Sequence, residues 1–296
     1  MSAESALSFC TDLVRAHDYD RYLCAMFAPE TARAGLMAIY AFNQEIAKIR
    51  DVISEPVSGH IRLQWWREAL DTVYAGGNPQ HQVAVALGDA VKRFGLGRSH
   101  FDCLIDGRAF DVEDQRPRNL AALESYADAT STPLVSLALE VLAERGAAAH
   151  AAGRHIGIAW GLIGQLRATA YLARKKRTFL PLEELSKVGL APEDVFNVRL
   201  SRHRSSSGDT RKALARVAKE IAALANDHLI GARNFRSEFK KKTLVRFLPA
   251  YLPGILANGY LGRLHWHDHD LFAPGLEIPR PLKLTRLAVA VMLKRF

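Results

Sequence analysis

Apolar residues recur along this chain at helical spacing, and runs of alternating β-branched residues are absent. With Ala, Leu and Arg abundant, that pattern confines the chain to an all-α fold. Between Pro29 and Pro56, residues Leu36, Ile39, Tyr40, Phe42, Ile46 and Ile49 mark a helix over Thr31 to Asp51. Further helices are predicted from about Ile61 to Tyr74, Gln82 to Phe94 and Arg98 to Phe110, with Gly76, Gly77, Pro79 and Gly95 as stops. A short helix from Leu120 to Ala129 ends in Thr130-Ser131-Thr132-Pro133, and Pro133 opens another to about Arg145. A long Ala/Gly-rich helix follows, about Ala147 to Arg174, closed by the basic run Arg174-Lys175-Lys176-Arg177. Pro181 starts a short helix. Leu200 to Asp209, with Ser205-Ser206-Ser207-Gly208, reads as a polar, flexible loop. Asp209 or Thr210 then caps a helix from Arg211 to Phe235. An apolar stretch from Leu244 to Leu261 precedes a Pro-rich loop and a terminal helix, Leu282 to Phe296. No internal repeat or linker interrupts the pattern. One domain over 1–296 is expected, with its core at about 18–287 and 288–296 ending a basic tail helix.

The 296 residues suffice for a large core, and 49% hydrophobic with 24% charged residues excludes disordered, collagen-like and disulfide-scaffold chains. Lys and Arg number 40 against 31 Asp and Glu, a net charge of +9 that favours anionic partners. Diphosphates, an anionic membrane surface and nucleic acid all satisfy that balance, but no nucleic-acid motif is present. Cys10, Cys24 and Cys103 form no CxxC pair, so buried free thiols in a reducing compartment are expected. No apolar h-region follows a basic n-region, so no secretory signal is expected; Glu4, Asp12 and Asp18 make a poor transit peptide, and no run of about 18 apolar residues marks a membrane span. The expected location is cytoplasmic, peripheral on the inner membrane.

Five motifs stand in order. Tyr40-Ala41-Phe42-Asn43-Gln44-Glu45 runs on to Asp51. Arg62-Leu63-Gln64-Trp65-Trp66-Arg67, Asp106-Gly107-Arg108-Ala109-Phe110-Asp111, Gly161-Leu162-Ile163-Gly164-Gln165-Leu166-Arg167 and Phe179-Leu180-Pro181 follow. In this order and spacing the chain resembles the squalene/phytoene synthase family from about Asp18 to Leu287. The resemblance implies a single isoprenoid-synthase-like helical bundle with a central cavity. Active members join two prenyl diphosphates head to head, using Mg²⁺ held by aspartate-rich motifs on two facing helices. Carboxylates at i and i+4 share a helix face and supply the hard oxygen ligands that Mg²⁺ requires. The metal then stabilises the charge of the departing diphosphate.

This sequence departs from that pattern where the metal would bind. The first motif is reduced to Ala47-Lys48-Ile49-Arg50-Asp51. Glu45 lies six residues before Asp51, about 600° of helical turn and so roughly 120° off its face. Asp51 and Glu55 have i, i+4 spacing, but Glu55 precedes Pro56, where the helix has ended. The second motif is absent: no acid occurs between Arg145 and Leu182. Metal-dependent ionisation by the family's usual route is therefore not expected, and no cofactor or metal ligand set is assigned.

What remains resembles a branch of the family that lacks the metal motifs and acts in assembly of respiratory complex I. Asn43 followed by Glu45, Ser54-Glu55, Gln64-Trp65-Trp66, Leu166-Arg167-Ala168-Thr169 and the basic run before Phe179 carry that likeness. It implies a catalytically silent protein whose partners are membrane protein subunits of a respiratory complex. Two other readings stay open. One is a Mg²⁺-dependent prenyl transferase with a site rebuilt from Asp51, Glu55, Asp111 and Glu113. The other is a prenyl-lipid-binding module without turnover.

Tyr40, Phe42, Asn43, Trp160, Gln165 and Arg167 are the expected cavity lining, able to hold a prenyl chain or another lipid. Arg174, Lys175, Lys176 and Arg177 are candidates for contact with a diphosphate or anionic lipid, with a solvated loop as the alternative; Lys240-Lys241-Lys242 reads as solvated. In the tail, Leu284, Leu287, Ala288, Val291 and Leu293 with Lys283, Arg286, Lys294 and Arg295 form a basic amphipathic helix. It suits a membrane surface, a partner groove or the protein's own core. His265-Trp266-His267-Asp268-His269-Asp270 reads as a polar loop, because alternating His share a face only on a strand. Asp106, Asp111, Glu113 and Asp114 are expected to cap and form salt bridges.

Overall fold

The computed structural model describes residues 3–77, 79–198 and 204–296. Among the described residues there is no strand, and helices occupy most of the chain. They are α1 (Ala3–His17), α2 (Tyr19–Met26), α3 (Glu30–Ala47), α4 (Pro56–Tyr74), α5 (Gln82–Phe94), α6 (Arg98–Val112) and α7 (Leu120–Val141). The second half holds α8 (Ala147–Arg174), α9 (Leu182–Lys187), α10 (Pro192–Asn197), α11 (Arg204–Asn234), α12 (Lys241–Phe247), α13 (Leu252–Trp266) and α14 (Arg280–Met292). Local chemistry sets several ends. The Asp18 carboxylate accepts from the Arg21 backbone N–H at the start of α2, and Asn119 accepts from Ala122 N–H at the start of α7. Pro56 opens α4 at its first turn, where its missing N–H costs nothing.

Several boundaries differ from the sequence reading: α3 gives way to a 3₁₀ turn at Ile49–Asp51, α4 starts at Pro56 instead of about Ile61, and α13 runs on through His265 and Trp266. Pro133 does not open a new helix but lies inside the 22-residue α7. The Ala129 carbonyl that it leaves free faces the Cys103 thiol at 3.9 Å, and Pro133 is buried, so packing holds the helix through the proline. Helix α11 begins at Arg204, so the supposed loop is helical from there to Asp209; residues 199–203 lie outside the described part. The tail helix ends at Met292, which leaves Lys294 and Arg295 beyond it, and Phe296 folds back onto Phe239 and Tyr251. Cys10 and Cys24 are buried free thiols as expected, but Cys103 is exposed.

Helices α7 and α8 pack against each other along a stripe of small residues. A side chain at Gly157 would place its Cβ 2.7 Å from the Thr132 backbone, and one at Gly161 would lie 2.8 Å from the Ala127 side chain. That close approach fixes the 28-residue α8 as the centre of the bundle, with α11 and α13 on its other sides. A second focus forms where Phe42 meets Trp66 and Phe101 edge-on, each pair with ring centres 5.2 Å apart. Helix α8 thereby faces α2, α3 and α14 across an open cleft. Gly157→Ala is expected to lower stability by about 1–3 kcal/mol through overpacking against backbone. Gly164→Ala, on the same helix with nothing within 4 Å, is expected to be neutral or to stabilise by up to about 1 kcal/mol. Urea unfolding of the two variants separates close packing from helix propensity.

Candidate functional site: a salt-bridged central cleft

The cleft encloses about 870 Å³ and is walled by residues of α2, α3, α8 and α14 and by the segment before α14. Asp20, at the start of α2, is buried. A buried carboxylate is costly unless paired and hydrogen-bonded. Lys283 Nζ lies 2.6 Å from it, Arg167 Nη1 3.2 Å and the Tyr260 hydroxyl 2.9 Å. Arg167 also donates to Glu277 at 2.8 Å, while Lys283 reaches Glu277 at 3.5 Å. The Arg167 guanidinium sits over the Tyr260 ring at 3.8 Å. Asp18 is held by Arg21 at 2.7 Å, and Arg21 in turn lies over the Tyr40 and Trp160 rings at 5.9 and 5.7 Å. Partial burial alone would raise the Glu277 pKa, but the Arg167 guanidinium, followed by Lys283, holds it below its ordinary value. Burial likewise pushes the Tyr260 phenol well up. Two polar atoms at the cleft have no protein partner: the Oδ1 of buried Asn43 and the Nε of Arg108. Both are buried, so each carries an unmet hydrogen-bonding capacity beside the cleft.

Asp51 does not face this cleft as a metal ligand. It ends a 3₁₀ turn, Ile49–Asp51, just after α3. Lys175 Nζ lies 2.9 Å from it, Arg177 Nη1 3.4 Å, and the Tyr171 hydroxyl donates to it at 3.1 Å. Asp114 alongside is held by Arg50 and, at 3.1 Å, by Arg177. The hydrogen bond from Arg50 keeps the Asp114 carboxyl below its ordinary pKa, and bonds to Tyr171 and then Asp51 raise that of Lys175. Glu55 precedes α4 with extended backbone and is exposed. Glu113 faces His60 at 3.4 Å. Asp111 is buried, bonded to Arg108 at 2.9 Å and to the Tyr126 hydroxyl at 2.6 Å. Glu45 pairs with Lys48 at 2.5 Å beside Trp66. The set Asp51, Glu55, Asp111 and Glu113 is thus not brought together, because three of the four already answer a neighbouring cation, imidazole or phenol. Among the described residues no three His, Cys, Asp or Glu side chains gather as a metal-holding group. The donor set does not fit the paired Mg²⁺ cluster of the family.

Of the expected lining residues, Asn43, Trp160, Gln165 and Arg167 border the cleft. Tyr40 lies behind Arg21, and Phe42 points away from the cleft into the core against Trp66 and Phe101. The basic run divides. Lys175 and Arg177 turn to Asp51, whereas Arg174 only donates to the Ala170 carbonyl, and Lys176 has left-handed backbone at φ 56°. Lys294 and Arg295 are exposed. Asp270 of the His-rich turn pairs with Arg211 at 2.5 Å. Sequence reasoning missed Asp18, Asp20, Arg21, Arg108, Tyr260 and Glu277 as cleft residues, and counted Lys283 among the cations of the amphipathic tail helix without assigning it to the cleft. One signal was available: Lys283 shares the i, i+4, i+7 stripe of Leu287 and Ala290, the buried face of α14.

A helical bundle enclosing one cleft of this shape is an isoprenoid-synthase fold. The structure superposes on that of a dehydrosqualene synthase in complex with ligand with a TM-score of 0.80, covering 98% of this chain and 96% of the other at 16% identity. A squalene synthase from Alicyclobacillus acidocaldarius gives 0.75 over 90% and 96%, also at 16% identity. The chain belongs to the squalene/phytoene synthase family, whose pattern matches residues 14–288. It is 33% identical to NADH dehydrogenase (ubiquinone) complex I, assembly factor 6 from Bos taurus, over 100% of this chain and 85% of that protein. The Homo sapiens protein of the same name is also 33% identical, over 91% and 77%. A chloroplastic phytoene synthase from Narcissus pseudonarcissus is 27% identical over 67% of this chain and 48% of its own length.

The depressed Glu277 pKa fixes the sign of a pH effect. Its carboxylate contributes stability that is fully present above the ordinary value of 4.5 and is lost as pH falls through the depressed value. Asp114 acts with the same sign below 3.8. Urea midpoints are therefore expected to fall as pH drops from about 4.5. Glu277→Gln is expected to be less stable at neutral pH and to show a shallower acid slope.

Proposed function

We propose that this protein is a catalytically silent squalene/phytoene synthase homologue that acts in the assembly of a complex I-like respiratory enzyme. The observation that carries the reading is the replacement of metal-facing chemistry by fixed side-chain cations. Arg167 and Lys283 neutralise Asp20 and Glu277, and Lys175 and Arg177 neutralise Asp51. With its carboxylates answered internally, the protein works without Mg²⁺ or another cofactor and offers its folded surface to partners. The full-length likeness to proteins named as complex I assembly factors supports the choice of partner, membrane subunits of that enzyme.

The place of action in this proposal is peripheral, on the inner membrane. Among the described residues no helix is long and apolar enough to cross a membrane. Helix α14 instead shows two faces. Leu287 and Ala290 pack inward, while Leu282, Val289, Met292 and Leu293 are exposed beside Lys294 and Arg295. An apolar stripe flanked by cations suits the interface of an anionic bilayer.

Family membership and the phytoene synthase relatives favour prenyl transfer as the second reading. Incubation with labelled farnesyl or geranylgeranyl diphosphate, Mg²⁺ and NADPH separates the two. The assembly reading expects no diphosphate release from folded protein, together with loss of mature NADH:quinone oxidoreductase in a strain that lacks the gene. Release that disappears with EDTA and in Asp51→Ala establishes the enzyme instead.

A further inference from the structure

The four cations Arg174 to Arg177 are not equivalent, and their division points to a second site, outside the central cleft. Lys175 and Arg177 are spent on Asp51 and Asp114. Arg174 and Lys176 have no carboxylate within ion-pair distance among the described residues, and both are exposed. They stand at the rim of a separate slot of about 410 Å³. Its floor is apolar: Ala170 and Ala173 from the last turns of α8, Phe196 from α10 and Phe272 from the turn after α13. Glu193 shares the rim and faces Arg116 at 3.9 Å. Lys176 borders this slot and also a smaller neighbouring hollow of about 150 Å³, where Arg50, Arg116 and Arg177 surround Asp114.

The backbone of Lys176 adds an independent observation. The N–H groups of Lys176 and Arg177 close α8 onto the carbonyls of Ala173 and Leu172, and Lys176 takes φ 56°. That left-handed closing position is the one glycine fills at least cost. Here a lysine holds it, so an ammonium group stands between apolar slot and basic hollow at some expense to the fold.

We infer that this slot binds an anionic phospholipid. One acyl chain lies along Ala170, Ala173, Phe196 and Phe272, and the phosphate is met by Lys176 and Arg174. An apolar channel within the usual volume of ligand pockets, with unpaired cations at its mouth, matches an amphiphile that carries one negative headgroup. The inference extends the membrane-surface part of the proposed function by naming the lipid class and the residues that seat it.

The test uses the full-length protein and Lys176→Gly, which suits the left-handed backbone and is expected to keep or raise the Tm. Wild-type protein is expected to sediment with phosphatidylcholine vesicles that contain phosphatidylglycerol and not with phosphatidylcholine alone. Lys176→Gly is expected to bind about fivefold more weakly, the equivalent of one lost cation near a charged surface. Ala170→Phe, which fills the slot and leaves the cations in place, is expected to weaken binding as well. Water-soluble dihexanoyl phosphatidic acid should raise the Tm of wild type more than that of these variants, and inorganic phosphate alone should not reproduce the rise. Equal vesicle binding by Lys176→Gly and wild type overturns the slot. If binding is lost instead in Lys294→Gln/Arg295→Gln, the membrane reading stands on the tail and the slot falls alone. Absence of wild-type binding to either vesicle overturns the slot and the membrane reading together. A full response to inorganic phosphate overturns the acyl-chain part.

Discussion

Helix α8 has no carboxylate of its own, and the structure is arranged around supplying it with some. The helix runs through the middle of the bundle and carries Arg154, Arg167 and Arg174, with Lys175 and Arg177 just past its end. Every close acidic partner arrives from another element. Asp128 of α7 holds Arg154 at 2.6 Å, Asp20 and Glu277 hold Arg167, and Asp51 and Asp114 hold Lys175 and Arg177. Each of these ion pairs ties α8 or the residues just past its end to a different element of the fold. Glycines on the α7 side bring the backbones near enough for this to happen over a short distance.

In this arrangement fixed basic side chains neutralise the carboxylates beside the cleft. A bound Mg²⁺ draws carboxylates together and leaves them able to act on a diphosphate. An arginine or lysine instead neutralises a carboxylate with a fixed charge and adds directional hydrogen bonds. The cleft survives, with about 870 Å³ of space and unpartnered atoms on Asn43 and Arg108, but its charges answer one another.

The all-α class and the positions of α3, α4, α5 and α6 were readable because apolar spacing and Gly/Pro stops act locally. The loss of acids on α8 was equally plain, since composition alone reveals it. The misreadings share another cause. Pro133 stays helical because the buried environment of α7 outweighs its local preference. Phe42 and Asn43 are neighbours in sequence, yet a helix turns adjacent residues apart, so only Asn43 meets the cleft. Asp20, Tyr260, Glu277 and Lys283 escaped notice because their significance lies in meeting across most of the chain. No short motif encodes a pair such as Asp20 with Lys283.

That pair also bears on how the protein is made. A ribosome delivers the chain from its N-terminus, so Asp20 emerges long before the ammonium group that holds it at 2.6 Å in the finished fold. Helix α2 can form early from local bonds, but its buried carboxylate is compensated only when α14 arrives. The two groups stand 263 residues apart in the chain, so this contact is among the least local in the fold. Compensating the Asp20 carboxylate therefore requires α14 to dock, whatever the order in which the other helices pack.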